Sequence, residues 1–132
     1  LQALYRIDFN KKHRLEPNFQ LIIDDHKGEA IANDGFATKL TYLYFSPKII
    51  LDVNVAYGQR NARKIHPVYD KKADSDRYGG AITAFVPFKK SKTGLWLFWA
   101  SAEIFREDAT IDFFDSQFST IMGGVMWRHL KK

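Results

Sequence analysis

Residues 49–60 alternate without a break. Ile49, Leu51, Val53, Val55 and Tyr57 take one set of positions, and Ile50, Asp52, Asn54, Ala56, Gly58 and Arg60 take the other. Successive side chains of a strand point to opposite faces, so this spacing separates the two sets completely. A helix would scatter them around its circumference. The same period of two runs through six more segments, 1–10, 14–24, 36–45, 77–88, 95–106 and 118–130. In the first, Tyr5, Ile7 and Phe9 oppose Arg6, Asp8 and Asn10. In 14–24, Leu15, Phe19, Leu21 and Ile23 oppose Glu16, Asn18 and Gln20, and Pro17 points to a sheet edge or a bulge because it cannot donate to a ladder. Placing Ser101 and Glu103 on the polar face of 95–106 leaves Trp96, Phe98, Ala100, Ala102 and Ile104 on the apolar one. No segment carries a helical period, and no run of 18 or more apolar residues marks a spanning helix.

The expectation is an all-β chain, 1–132 forming a single barrel domain or barrel segment, with about seven antiparallel up-and-down strands. Alternation alone does not say which face is inside. Three features favour an apolar exterior, that is, a transmembrane β-barrel. The strands run to 10–12 residues, against about 5–6 in soluble proteins. Ten residues rise roughly 33 Å, which a tilt of about 45° projects onto an apolar band of about 25 Å. Aromatics gather at both strand ends: Phe36, Tyr57 and Tyr78 near the long loops, and Phe9, Tyr42, Tyr44, Phe88, Trp96, Phe98 and Trp127 near the short turns. Connections alternate short (11–13, 46–48, 89–94) and long (25–35, 61–76, 107–117), as in outer-membrane barrels with short periplasmic turns and longer external loops. The polar face offers Arg6, Asp8, Asp52, Asn54, Arg60, Glu103 and Arg128 as lumen-lining candidates. A soluble lipocalin-like or fatty-acid-binding-like barrel for an apolar ligand also fits the chain length. An even strand number is the rule for bacterial single-chain barrels. Counting back from a descending last strand therefore makes these strands the C-terminal part of a larger barrel, whose missing N-terminal strands or a second chain complete it.

Other chemistries find weaker support. The 20 basic residues are interspersed with 15 acidic ones, and the basic clusters fall in turns rather than on one face with stacking aromatics, so nucleic acid is not an expected partner. The absence of cysteine excludes disulfides and thiolate metal sites. His26 and His66 fall in loops on the same side as Asp74 and Ser75, but no His-x-Ser pair supports a nucleophile, and no enzyme activity or cofactor is expected. Asp108, Asp112 and Asp115 lack the spacing of a calcium loop and read as solvated charge rather than as a metal site.

The end of the chain, Gly124-Val125-Met126-Trp127-Arg128-His129, resembles the closing strand of Gram-negative outer-membrane barrels. That strand usually ends Gly, aliphatic, any residue, aromatic, Arg, Phe and is read by the barrel-assembly machinery. The resemblance makes Gly124, Val125, Trp127 and His129 the assembly-signal candidates. His129 and the Leu130-Lys131-Lys132 tail depart from the pattern. The segments from His66 to Gly79 and from Asp108 to Gln117 are similar to an uncharacterised porin-like family of marine and enteric proteobacteria. A loop like the second precedes the final strand of barrels that move surface lipoproteins. The resemblance implies an outer-membrane location, contact with the bilayer and lipopolysaccharide, and a non-enzymatic channel or scaffold for small polar solutes. An outer-membrane translocator or assembly partner is the alternative on the same fold.

Overall fold

Three connections at one end of the molecule close on their own side chains. Asn10 Oδ1 accepts from the Lys12 and His13 N–H groups at 2.8 and 3.1 Å. Ser46 Oγ accepts from Ile49 N–H at 3.1 Å, and Ser91 Oγ from Gly94 N–H at 3.0 Å. Asn and Ser offer the backbone a local partner in this way and so end strands. Between these turns the described chain is mostly extended. The computed structural model describes residues 1–24, 33–91 and 93–129, and His26 lies outside them.

The strands are β1 (Gln2–Leu4), β2 (Ile7–Asp8), β3 (His13–Asp24), β4 (Asn33–Phe45), β5 (Ile50–Ala62), β6 (Ile65–His66), β7 (Lys71–Lys72), β8 (Ser75–Lys90), β9 (Gly94–Ala109) and β10 (Ser116–His129), with one helical turn at Asp112–Phe114. One antiparallel sheet runs in the order β1-β3-β4-β5-β8-β9-β10 with β2 also on β3, while β6 and β7 form a separate small hairpin. The long strands are thus paired in chain order, as an up-and-down meander. Among the described residues β10 pairs with β9 alone and β1 with β3 alone, so both edges of the sheet are open.

Segment 1–10, expected as one strand, is interrupted between Leu4 and Ile7. The register is the same on both sides of the gap, with Leu4 opposite Asn18 and Ile7 opposite Leu15. Tyr5 N–H donates to Pro17 O at 2.9 Å, which aims the backbone polar groups of Pro17 at this edge. Proline has no N–H to return, and the ladder lapses there. Strand β3 itself is continuous. The other strands extend beyond their expected ends, mostly toward the long loops, so Ser75 and Glu107 belong to the sheet rather than to loops, and Arg77 lies inside β8 rather than at its start.

The two faces bury differently. Along β9, Ser101, Glu103, Phe105 and Glu107 are half-buried, while Ala102, Ile104 and Arg106 are exposed. Along β5, Asn54, Ala56 and Gly58 are half-buried, whereas Val55 is 57% exposed. Ile104 and Ile121 on the same side are 53% and 87% exposed. A single cavity touches Gln20 on β3 and Phe105 on β9, so the polar face curves inward across the intervening strands. The apolar face is therefore the outer one.

That outer face carries no charged side chain from His13, Tyr44 and Leu51 up to Phe19, Tyr57 and Tyr78. The same band continues across β8, β9 and β10 through Ile82, Ala102 and Ile121. At its loop end, Tyr57 Oη donates to Asp76 at 2.9 Å and Tyr78 Oη to Asp108 at 3.0 Å. At its turn end stand Trp96 and Trp127, directly opposite each other, and His13 Nδ1 lies 2.6 Å from Tyr42 Oη.

Deep burial is sparse and sits on the concave side. Leu97 is 4% exposed and shares its row with Pro87 and Met126, one row from Phe85 and Trp99. Ala62 and Ile111 are buried at the opposite end. Leu97→Ala is expected to lower the unfolding free energy by about 2–5 kcal/mol, measured by urea unfolding. A change near zero would contradict a packed cluster at that end.

Candidate functional site: a polar wall beneath two loops

Register assembles the polar face into rows. Glu16, Thr41, Asn54, Ala81, Glu103 and Thr120 lie side by side from β3 to β10. The next row toward the long loops holds Lys39, Ala56, Gly79, Phe105 and Phe118. Above it come Ala37, Gly58, Arg77 and Glu107, and then Arg60 opposite Ser75. Below the first row lie Arg14, Asp52, Thr83 and Ser101. The charge is unevenly spread. Lys39, Arg60 and Arg77, with one carboxylate, Glu107, occupy the half nearer the loops, and Asp8, Glu16, Asp52 and Glu103, with Arg14, the middle and lower part.

The lower charges are largely matched. Arg14 Nε lies 2.8 Å from Asp8 and its Nη1 3.5 Å from Glu16, while Arg6 Nε reaches Asp8 at 2.9 Å. Asn54 Nδ2 donates to Asp52 at 3.3 Å. The upper cations have no such partners: among the described residues Lys39 and Arg60 form no ion pair. Arg77 instead places its guanidinium 5.1 Å from the centre of the Phe105 ring. That ring lies over Gly79, where an added Cβ would come 2.6 Å from Phe105 Cδ1. Glycine here makes room for an aromatic neighbour across the ladder.

The two long loops meet above this wall. His66 and Tyr69 meet at a tilt with ring centroids 5.0 Å apart, and Tyr69 meets Phe113 and Phe114 at 6.3 and 6.0 Å. Asp74 ties the loop bases together, its carboxylate accepting from Ala62 N–H at 2.7 Å and its carbonyl from Thr110 N–H at 2.9 Å. Asp115 accepts from Ala109 N–H at 2.6 Å. A cavity of about 350 Å³ beneath this cap is lined by Arg60, His66, Ser75, Glu107 and Phe114 among others. Ser75 and His66 thus line one cavity, but Ser75 Oγ donates to Glu107 Oε1 at 2.8 Å. His66 Nδ1 accepts from Val68 N–H at 3.3 Å. The serine's acceptor is a carboxylate, and among the described residues no imidazole is hydrogen-bonded to the serine.

Of the lumen candidates, Asp8, Asp52, Asn54, Arg60, Glu103 and Arg128 share one face, and Arg6 joins them through Asp8. Arg128 stands apart, opposite Leu95 near the short turns. Asp108, Asp112 and Asp115 do not converge, because Asp108 is engaged by Arg106 at 2.6 Å and by Tyr78. Among the described residues no cluster of metal-ligating side chains occurs. Val125, Trp127 and His129 lie opposite Phe98, Trp96 and Gly94, with Gly124 beneath the Trp99 indole. Sequence reasoning missed Arg77 and Glu107. The signal was present: stepping back by two from Ala81 and Gly79 reaches Arg77, and stepping on from Glu103 and Phe105 reaches Glu107.

Over residues 1–128 the chain matches the model of a protein family described as protein of unknown function, DUF2860. The chain belongs to this family. Comparisons with curated proteins and with solved structures find no match. The family's description carries no activity, so the polar wall and its cap bear the functional reading.

Outside the apolar band, Arg63 Nη2 and Nε bind Asp34 at 2.7 and 3.0 Å. The hydrogen bond from Arg63, above all, holds the Asp34 carboxyl below the usual carboxylate range. A lowered folded-state pKa adds stability above the unfolded pKa and loses it as pH falls through the folded one. Arg63→Ala is expected to return the Asp34 titration to the ordinary range, followed by carboxyl carbon NMR. The variant should match the native chain in stability only at pH values below the native Asp34 titration.

Proposed function

We propose that this chain forms part of the wall of a non-enzymatic, porin-like β-barrel in the bacterial outer membrane, passing or binding small polar solutes. One observation carries the reading: between its tyrosine and tryptophan rims the apolar face is outward, mostly exposed and free of charge across six long strands, while the polar face is concave and, over most of β4, β5, β8 and β9, half-buried. A soluble barrel needs the opposite arrangement, with apolar side chains inside. From Tyr78 to Phe88 along β8 the uncharged band spans ten residue steps, or roughly 33 Å of strand. Tilting by about 45° matches this to an apolar height of about 25 Å. Tyr57 and Tyr78 at one rim, and Trp96 and Trp127 at the other, are the amphipathic rings that interfaces hold.

An unpaired strand edge cannot stand in lipid, where every backbone N–H and C=O needs a partner inside the protein. The open sides of β1 and β10 are therefore closed by further strands or by a second chain. β10, with Gly124, Val125, Trp127 and His129, is the strand that the barrel-assembly machinery would read. The Ser75 hydroxyl donates its hydrogen bond to Glu107 rather than to His66, so no Ser–His pair is assembled, which supports a binding or conducting role over hydrolysis by such a pair.

Ile82 faces outward and Thr83 faces the polar side. Ile82→Arg should destabilise folding into liposomes by about 2–4 kcal/mol, as expected for a cation at the bilayer midplane, with Thr83→Arg far milder. Equal effects would overturn the orientation. The protein should also partition with membranes and give discrete conductance steps in planar bilayers. A chain that stays monomeric and soluble without detergent would remove the membrane reading altogether.

A further inference from the structure

We infer that Arg60 and Arg77 form a binding site for a small solute bearing a carboxylate or phosphate group, at the loop-covered end of the polar face. The inference rests on reading that face as a wet lumen. Arg60 is directly opposite Ser75, two residues before Arg77 on β8, so the arginines are diagonal neighbours on one face. Such pairs stand about 7–8 Å apart at their Cα atoms, close enough for both side chains to meet one oxyanion.

Three features keep the pair available. Glu107 lies opposite Arg77 in register, but it accepts the Ser75 hydroxyl at 2.8 Å. The Phe105 ring supports the Arg77 guanidinium at 5.1 Å. A guanidinium resting on an aromatic ring keeps its in-plane N–H edge for a fork-like contact with carboxylate or phosphate. Arg60 has no ion pair among the described residues.

Space agrees with a small guest, and the two arginines outnumber the one carboxylate beside them, Glu107. Both arginines line a cavity of about 530 Å³ whose floor is Ala37, Ala56 and Gly58. Those positions carry at most a methyl group, so no side chain of the floor fills the volume. Arg60 also lines the outer cavity under the His66 and Phe114 loops, which joins the pair to the capped mouth. Glu103 lines the deeper end of the same cavity and has no ion pair among the described residues. Its charge repels an anion that passes the arginines, so the solute is held in the upper half.

The test uses the full natural protein in detergent micelles, titrated calorimetrically with succinate, inorganic phosphate and glucose. Succinate or phosphate should bind, more weakly as salt rises, and glucose should not. Arg60→Gln and Arg77→Gln should each weaken binding about tenfold or more, as for loss of a charged hydrogen bond, and Glu103→Gln should tighten it. Arg60→Lys and Arg77→Lys keep the charge but lose the fork, and should weaken binding even where the glutamine variants do not fold. Neither anion binding, or double-glutamine protein binding as the native does, would overturn the site. Anion binding without conductance would refute the pore and leave the site. Conductance with unaltered ion preference in the double variant, and no calorimetric signal, would refute the site and leave the pore.

Discussion

Everything in this sheet depends on an unbroken backbone register. The β4–β5 ladder runs from Asn33 opposite Ala62 to Phe45 opposite Ile50 with no shift, and the neighbouring ladders of the long strands carry it across the sheet. Because side chains alternate with a period of two, a one-residue slip in any ladder would turn a whole strand inside out. It would place Asp52 and Asn54 among the outward apolar residues and Val53 and Val55 among the charges. The irregularity in the β8–β9 ladder falls between Pro87 and Lys89, at the short-turn end, where Phe88 stacks on Phe98 at 4.1 Å. It leaves the faces of the central band undisturbed.

Small residues turn this register into a shaped surface. Gly79 lies under Phe105, and Gly124 lies 3.1 Å (measured from an added Cβ) from the Trp99 indole nitrogen. In each case a large ring on β9 covers a glycine on its neighbour. At Gly79 the arrangement also serves the site, since the covering ring is the one on which Arg77 rests. Architecture and electrostatics thus share the same cross-strand pair. Lower on the same face the rows turn apolar around Leu97 on β8, β9 and β10, while Asp8 and Arg14 keep the turn end of β2 and β3 charged.

Much of this was legible from residue spacing. The strands of the long meander, the sorting of Ile49 to Arg60 onto two faces and the short-long rhythm of connections all appear in the chain as observed. Strand ends were not legible, because apolar alternation stops before the ladder does. Arg77 and Glu107 pair across β8 and β9 although neither looks like a strand residue by hydrophobicity. The first strand read as continuous because Pro17, which interrupts it, belongs to its neighbour. That His66 and Ser75 lie at the same end was legible, but the acceptor of the serine hydroxyl was not, since Glu107 is 32 residues away in sequence.

The alternation by itself determined the fold class and which residues share a face. Period two is a property of one extended strand and needs no partner to be expressed. Only the tertiary structure decided which face is concave, which cations remain unmatched and where the two long loops meet. Those depend on register between distant strands, on curvature over glycine and on the docking of His66 and Tyr69 against Phe113 and Phe114. Each brings together groups whose separation along the chain carries no local signature.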